Sequence, residues 1–464
     1  MASAFANING SYIDEFKDYL LRPLTDNPTF QELGFEIIET PHTTIKPKIY
    51  FSAGNKYSKA YASGWTGSTA ETLQQKSIVL AELKAERAWD KHDVEGTKAY
   101  ADANRQNNNI HTGDPYMDGL VLQFSQGVKN DITRIGWLGD TEKDALVTVG
   151  SVDVPDNATP DTDYNVVDGL WTCLQDNASI LRDGSTASSI TPTTDQVTRL
   201  VIANGTVAQI STSTLTSMTA GTMIVTINGV AYSEAFVTSN NATVTAWLAS
   251  HKTTIETANT YNSEANIVVT EASGVITVTS QVAGMPFSLV GTDGGTGGGW
   301  VDADSTANTG AAALGTDEAK STMRLMWAGA PKPLRAFANR QKSIMRWYVT
   351  STFYDNYLNT LEDLGETESS WRVLTNGERV LSYKGIPLIE MPQWDEDLSN
   401  DFADPFPHRA ILTYPQNLQV AMRNLSDHGT MEFDHSFRNN TLDGRAQYYM
   451  GTGFALPEHI VMAY

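Results

Sequence analysis

Residues 380–397 read VLSYKGIPLIEMPQWDED and residues 409–423 read RAILTYPQNLQVAMR. Each is a β-rich run broken by one turn signal, Gly385-Ile386-Pro387 in the first and Asn417-Leu418 in the second. Each therefore reads as a strand–turn–strand unit, with an acidic or polar loop, Gln393 to Pro407, between them. Upstream, MRWYVTS predicts a strand. FYDNYLNTLEDLG predicts a helix with Tyr354, Leu358 and Leu361 on one face and Gly365 as its stop. DEAKSTMRLMWAGA predicts another helix, opening at Thr316 and ending before Pro331. Downstream, MEFDHSFRNN and GRAQYYMGTGFALPE read as closing strands. This end of the chain thus predicts a mixed α+β unit.

The N-terminal side has the same chemistry. Ile13, Phe16 and Leu20 share a helical face, which Pro23 and Pro28 stop, and Phe35-Glu36-Ile37-Ile38 predicts a strand. KPKIYFSAGNKYSKAYASGWTGSTAETLQQKS, residues 46–77, has no helical period and predicts an extended excursion. IVLAELKAERA, residues 78–88, consists of good helix formers but also fits a strand leaving that excursion. From Asp114-Pro115, a good N-cap and first helical position, Met117, Leu120, Val121, Phe124, Val128, Ile132 and Ile135 recur every three or four residues. This predicts one long amphipathic helix, punctuated by Gly136 and Gly139.

Composition changes between about Ser185 and Gly310, where Thr, Ser, Ala, Val, Gly and Asn replace charges and aromatics. Asn228-Gly229 and Ser273-Gly274 each sit between β-rich runs and predict hairpins. Between them Val244, Trp247, Leu248 and Ile255 share a helical face, with Asn241 as the expected cap. MPFSLV predicts a last strand, and DQVTRLVIANGTVAQIS predicts a further hairpin turning at Asn204-Gly205. The pattern is ββαββ, a separate β-rich domain. GTDGGTGGGW, residues 291–300, lacks the Lys of a phosphate-binding loop and reads as the exposed, irregular exit joint of that domain, the other joint falling near Gly184 to Thr194.

Bulk properties narrow the function. The 464 residues predict two to four domains. No apolar run approaches the roughly 18 residues of a membrane span, and MASAFANINGSYIDEF has neither the basic start nor the apolar run of a secretory signal, so a cytoplasmic chain is expected. A formal charge of −22 argues against a groove that grips nucleic acid. The one cysteine, Cys173, excludes an internal disulfide or a cysteine-based metal cluster and reads as a small buried apolar residue.

The search for chemistry is negative. DTDYNVVDGL, Asp161 to Leu170, has Val166 where a calcium loop needs Gly and Thr172 where it needs Glu, so it reads as a polar turn. Asp302-Ala303-Asp304-Ser305 reads as a solvated turn, and Asp427, His428, Asp434 and His435 lack ligand spacing on a strand. No nucleophile elbow or zinc-helix motif is present. No catalytic residue, cofactor or metal is expected. Tyr50, Phe51, Tyr57, Tyr61 and Trp65 crowd a segment too irregular to bury them, which makes them candidate contacts with other subunits.

In order, these pieces resemble the major capsid protein of tailed bacteriophages of the Hong Kong 97 type. The stretches that carry the resemblance are DGLVLQFSQGVKNDITRIGWLGD, YNVVDGLWTCLQD, MRWYVTSTFYDNYLNTLEDLG, the opening pair of units, and GRAQYYMGTGFALPEHIVMAY. The resemblance covers both flanks but not the middle. It implies an N-terminal arm over 1–45, an extended loop over 46–88 and, over 89–190, a peripheral domain with its spine helix that then enters the axial domain. An insertion domain over 191–303 and an axial domain returning to the peripheral one over 304–464 would complete the chain. It further implies a non-enzymatic virion protein, assembled in the host bacterial cytoplasm as hexamers and pentamers. Its partners would be portal and other virion proteins and packaged double-stranded DNA held without sequence-specific contacts, with no membrane. A shell protein of an encapsulin-like cellular compartment is the nearest alternative; a surface adhesin or sugar-binding protein is a third.

Overall fold

The computed structural model describes residues 29–40, 44–45, 49–51, 73–75, 77–90, 115–149, 152–176, 178–179, 197–200, 202, 207–261, 264–265, 267–281, 284, 286–293, 299–309, 313–365, 371–373, 379–402, 407–423, 431–436 and 441–464. The helix expected around Tyr12 to Leu20, the cap Asp114 and the turn at Asn204-Gly205 lie outside them. The chain forms two units, Met1–Trp137 with Leu418–Ala455, and Leu138–Asn417 with Leu456–Tyr464.

In the first unit the strand Thr441–Phe454 organises a five-stranded sheet. Along one stretch it pairs with Ala81–Asp90, from Met450 opposite Ala81 to Thr441 opposite Asp90. It also pairs with Met431–Ser436 and Leu418–Met422, and the latter runs parallel to Glu36–Glu39. AELKAERA is thus a strand despite its helix propensity. Ten backbone pairs and the burial of Leu83 outweigh a few tenths of a kcal/mol per residue. Helix α1, Pro115–Leu138, buries Phe124, Val128, Ile132 and Ile135, the periodic face. Gly136 lies in the last turn of this helix and Gly139 directly follows it, where the sequence places the helix end. A Cβ on Gly136 would come within 2.5 Å of the Phe30 ring, which stacks with Phe35 at 5.5 Å.

The second unit is built on an eight-stranded mixed sheet. Its order is Trp371–Val373, Arg379–Tyr383, Ile386–Glu390, Arg346–Val349, Ala410–Thr413, Val461–Ala463, Val197–Leu200 and Ala178–Ser179. The Lys384-Gly385 turn, with φ of 53° and 76°, joins the second and third of these strands. Helix α2 spans Leu170–Asp176. Helix α3, Asn240–Ala258, belongs to the β-rich middle. Helices α4, Glu318–Gly329, α5, Lys332–Arg340, α6, Ser351–Asp363, and α7, Pro392–Asn400, complete the unit. Met323, Leu334, Trp347, Phe353 and Leu412 meet in one buried core. Burying Phe353 or Leu412 stabilises by roughly 1.5–3 kcal/mol each.

Residues 207–309 form a module with its own core, including Val225, Trp247, Val269 and Val278. A four-stranded sheet runs Ile267–Ala272, Val275–Ser280, Ile210–Ser217 and Gly299–Thr306; a three-stranded sheet runs Val230–Ala235, Thr222–Ile227 and Leu289–Asp293. Both hairpin turns form where expected, at Asn228-Gly229 (φ 47° and 81°) and Ser273-Gly274 (φ 55° and 82°).

Several local expectations are corrected. The cap of α3 is Ser239, whose side chain accepts from Ala242 N–H, because the helix begins one residue before Asn241. Val197–Leu200 does not form a hairpin with the strand after it. It lies parallel to Val461–Ala463, so the entry to the module falls after residue 200 and not at 191. At the other end the boundary at 303 cuts the strand Gly299–Thr306; the bridge between Val207 and Thr309 closes the module instead. Residues 81–88 belong to the first unit's sheet rather than to the excursion. RAILTYPQNLQVAMR is not one hairpin: Ala410–Thr413 and Leu418–Met422 join different sheets in different units. The expected loop from Gln393 begins as α7, opened by Pro392.

Candidate assembly site

The excursion is described at its two ends. Thr44 and Ile45 pair with Val79 and Ile78, and Ile49, Tyr50 and Phe51 pair with Gln75, Gln74 and Leu73. These are two separate two-stranded antiparallel pairs, and their registers differ by one residue; together they are called the ribbon. Tyr50 and Phe51 thus sit in a strand; Tyr57, Tyr61 and Trp65 lie outside the described residues. At the ribbon's root Ile78, Leu80 and Ala421 form a small buried cluster with Ile45 and Tyr449. The sequence Gly451-Thr452-Gly453 makes this possible. A Cβ on Gly451 would overlap the Val79 carbonyl, and one on Gly453 would lie 2.8 Å from Ile78 Cγ1. Two glycines on one face of the long strand let the ribbon cross close to it.

At both of its described ends GTDGGTGGGW is strand rather than irregular joint. Gly291 to Asp293 end one strand and Gly299-Trp300 begin another; residues 294–298 lie outside the described residues. A Cβ on Gly291 would fall within the Trp300 ring, so this glycine makes room for a tryptophan between the two sheets. Asp302 and Asp304 are not in a solvated turn either. They lie on an edge strand, where Asp302 accepts from Ser213 and from Gly291 N–H at 3.0 Å, and Asp304 accepts from Ser211 at 2.5 Å. Both residues are exposed, and charged side chains on an edge strand discourage further strand pairing.

Asp161 is a turn former. Its carboxylate pairs with Lys143 and accepts from Asp163 N–H at 2.8 Å. Burial alone would push Asp161 up, but the Lys143 ammonium and the Asp163 N–H hold it below the ordinary carboxylate range. The Lys143 ammonium also lies 4.4 Å from the Tyr164 ring centre and 4.2 Å from that of Phe402. Cys173 is half-buried on α2, 4.0 Å from the Asp168 carbonyl. Asp434 and His435 lie in a strand, opposite Asp443 and Leu442; Asp427 and His428 are outside the described residues. Among the described residues, no group of three or more His, Cys, Asp or Glu is placed to hold a metal ion.

Two constellations were not assembled from the sequence; the first joins residues far apart in the chain, and the second joins Asp140–Glu142 to Asp168 and Thr172, which the sequence placed only in a polar turn. The first joins Thr352, Asp395 and His408. Thr352 Oγ1 lies 3.0 Å from Asp395 Oδ1 and 2.9 Å from His408 Nδ1. A carboxylate only accepts, so the single hydroxyl proton goes to Asp395 and His408 Nδ1 donates to Thr352. Asp395 also accepts from Ser351 N–H, which makes the group a cap for α6 rather than a catalytic triad. The second is a polar recess lined by Asp140, Thr141, Glu142, Asp168, Thr172 and Asp176. Thr141 donates to Asp168 through N–H at 3.0 Å and Oγ1 at 2.7 Å. Burial pushes the Asp140 carboxyl up to about 6, helped by Asp168 and Glu142, although Glu142 N–H works against it.

No protein-family model matches the chain, and no curated protein matches it. Among solved structures, the chain is similar over nearly its whole length to several capsids. The capsid of a native GTA particle is 8% identical over 98% of this chain and 99% of that one, with a TM-score of 0.40. The procapsid of satellite phage P4 with its size determination protein is 8% identical over 98% and 95%, TM-score 0.40. The capsid of Myoviridae phage XM1 is 10% identical over 94% and 91%, TM-score 0.37. TM-scores of this size are too low for fold or function to be read from the likeness. No described helix is long and apolar enough to cross a membrane.

Proposed function

We propose that this chain is the major capsid protein of a tailed bacteriophage, of the Hong Kong 97 type, and that it assembles as hexamers and pentamers into an icosahedral shell around double-stranded DNA. The observation that carries this reading is a chain path of several specific parts. A ribbon is rooted on a sheet, and the 24-residue helix α1 follows in the same unit. The chain then builds a second unit on a mixed sheet and returns over Leu418–Ala455 to complete the first. This path supports the succession of extended loop, spine helix, axial domain and return that the sequence resemblance implies. In this reading the module over 207–309 is an insertion domain, and the ribbon with Tyr50 and Phe51 is an assembly contact.

A protein of this kind works by shape and multiplicity rather than by a reaction. Localisation in the virion and contact with a portal follow from the same reading. Negative-stain microscopy of the purified protein tests it. Capsomers or closed shells are the expected result, and DNA inside particles recovered from cells distinguishes a virus from a compartment. A monomer at high concentration that binds glycans would overturn the reading in favour of an adhesin.

A further inference from the structure

The formal charge of −22 hides a local exception. Residues 319–354 contain no Asp or Glu but seven Lys and Arg. They run through α4, α5 and the strand Arg346–Val349. Arg324 on α4 and Lys332, Arg340 and Lys342 on and after α5 are exposed. The Lys384-Gly385 turn adds another exposed cation from a distant part of the chain. Its ammonium lies 5.0 Å from the Trp327 ring centre and 5.8 Å from that of Tyr383. The Lys342 stem runs past the same turn, since a Cβ on Gly385 would sit 3.6 Å from Lys342 Cδ. Burial, together with the Lys342 charge, pulls Lys384 below the ordinary lysine range, while the Arg324 charge acts on Tyr383. Arg324, Lys342 and Lys384 therefore converge beside Trp327 and Tyr383. Neither Arg324 nor Lys384 forms an ion pair with any described residue.

We propose that this basic, aromatic-backed patch docks on an acidic surface of a second copy of the chain, in a head-to-tail contact. With 54 acidic against 32 basic residues, the anionic surface most available to the patch is that of another copy. Copies carrying −22 each repel one another wherever their mean surfaces meet, so a favourable contact is served by a region of opposite sign such as this patch. Patch and target differ, so the contact is heterologous; repeated around an axis it closes a ring, the arrangement a capsomer needs. Lysine and arginine heads beside Trp and Tyr rings are suited to partial desolvation, because the rings stabilise the cation as water leaves.

The inference rests on the reading of the chain as self-assembling, and one experiment separates the two. Assembly of the full chain is followed by sedimentation and negative-stain microscopy from low to high NaCl. The same is done for R324E/K342E/K384E, for R324K/K342R/K384R, and with added double-stranded DNA. The patch predicts that the wild type assembles without DNA and that salt weakens it. The charge-reversed variant should need at least about tenfold more protein to assemble, and the charge-preserving variant should behave as wild type. Circular dichroism checks that both variants fold. If charge reversal prevents folding, the salt dependence of the wild type decides, and salt-independent assembly overturns the proposal. Equal assembly of both variants overturns the patch and leaves the shell reading standing. Assembly only with DNA, lost together with DNA binding on charge reversal, assigns the patch to nucleic acid instead. A wild type that assembles under no condition sinks both.

Discussion

The β-rich module and the eight-stranded sheet are both mixed structures with buried tryptophans, yet they encode themselves differently. In the module, sequence neighbours do much of the pairing. Thr222–Ile227 meets Val230–Ala235 across Asn228-Gly229, and Ile267–Ala272 meets Val275–Ser280 across Ser273-Gly274. The eight-stranded sheet collects strands from residue 178 to residue 463, and three of its pairings are parallel. Parallel neighbours need long crossovers, so no tight turn announces them. Local turn chemistry is therefore a guide to the first region and nearly silent about the second.

The comparison can be broken most forcefully at its two tryptophans. Trp347→Ala, at the centre of the eight-stranded sheet, is expected to cost about 3–5 kcal/mol and to remove the main cooperative transition in calorimetry. Trp247→Ala, whose indole donates to the Tyr232 carbonyl at 3.1 Å, should cost a similar amount but lower a module transition alone. A single merged transition in both variants would show that the module does not unfold as a unit.

Next in size is Asp140, a carboxyl of the second unit that only long-range packing brings beside Asp168. Its value of about 6 lies above the ordinary 3.8, so burial opposes ionisation. Its contribution to stability is present below pH 3.8, is lost as pH rises through about 6, and stays lost above that. Asp140→Asn should therefore stabilise by up to about 3 kcal/mol at pH 8 and by almost nothing at pH 4, measured by urea unfolding at both values. Equal effects at the two pH values would remove the electrostatic account.

Two smaller substitutions separate long-range from local determinants inside the module. Gly291→Ala must displace the Trp300 ring between the two sheets, and about 1–3 kcal/mol of destabilisation is expected. Ser239→Ala removes only the α3 cap and should cost about 1 kcal/mol. Thermal denaturation of both variants ranks them; a costlier cap than Gly291 would mean that local signals dominate this region too.

Much of the candidate site followed the same division. Residues 46–77 lack a helical period, and the described ends of that segment, Ile49–Phe51 and Leu73–Gln75, are paired strands; the root beneath them had no sequence signal. Gly451 and Gly453 look like ordinary strand glycines until Val79 and Ile78 are seen crossing them. The basic patch was concealed by an average, since −22 over 464 residues says nothing about a stretch with no anion. The glycine-rich run misled for a related reason. Glycine marks both flexible joints and close packing, and only Trp300 shows that Gly291 serves the second.

By itself the sequence determined the elements whose cause is local: α1 from its apolar period, α6 from its face and Gly365, and the two hairpins from backbone positions with positive φ. Tertiary structure alone decided which strands became neighbours, that AELKAERA is a strand, and that Val197–Leu200 belongs beside Val461–Ala463. The physical reason is the range of the forces involved. Turn geometry and helical periodicity act over a few residues, whereas strand pairing and close packing act between segments whose separation along the chain carries no signal.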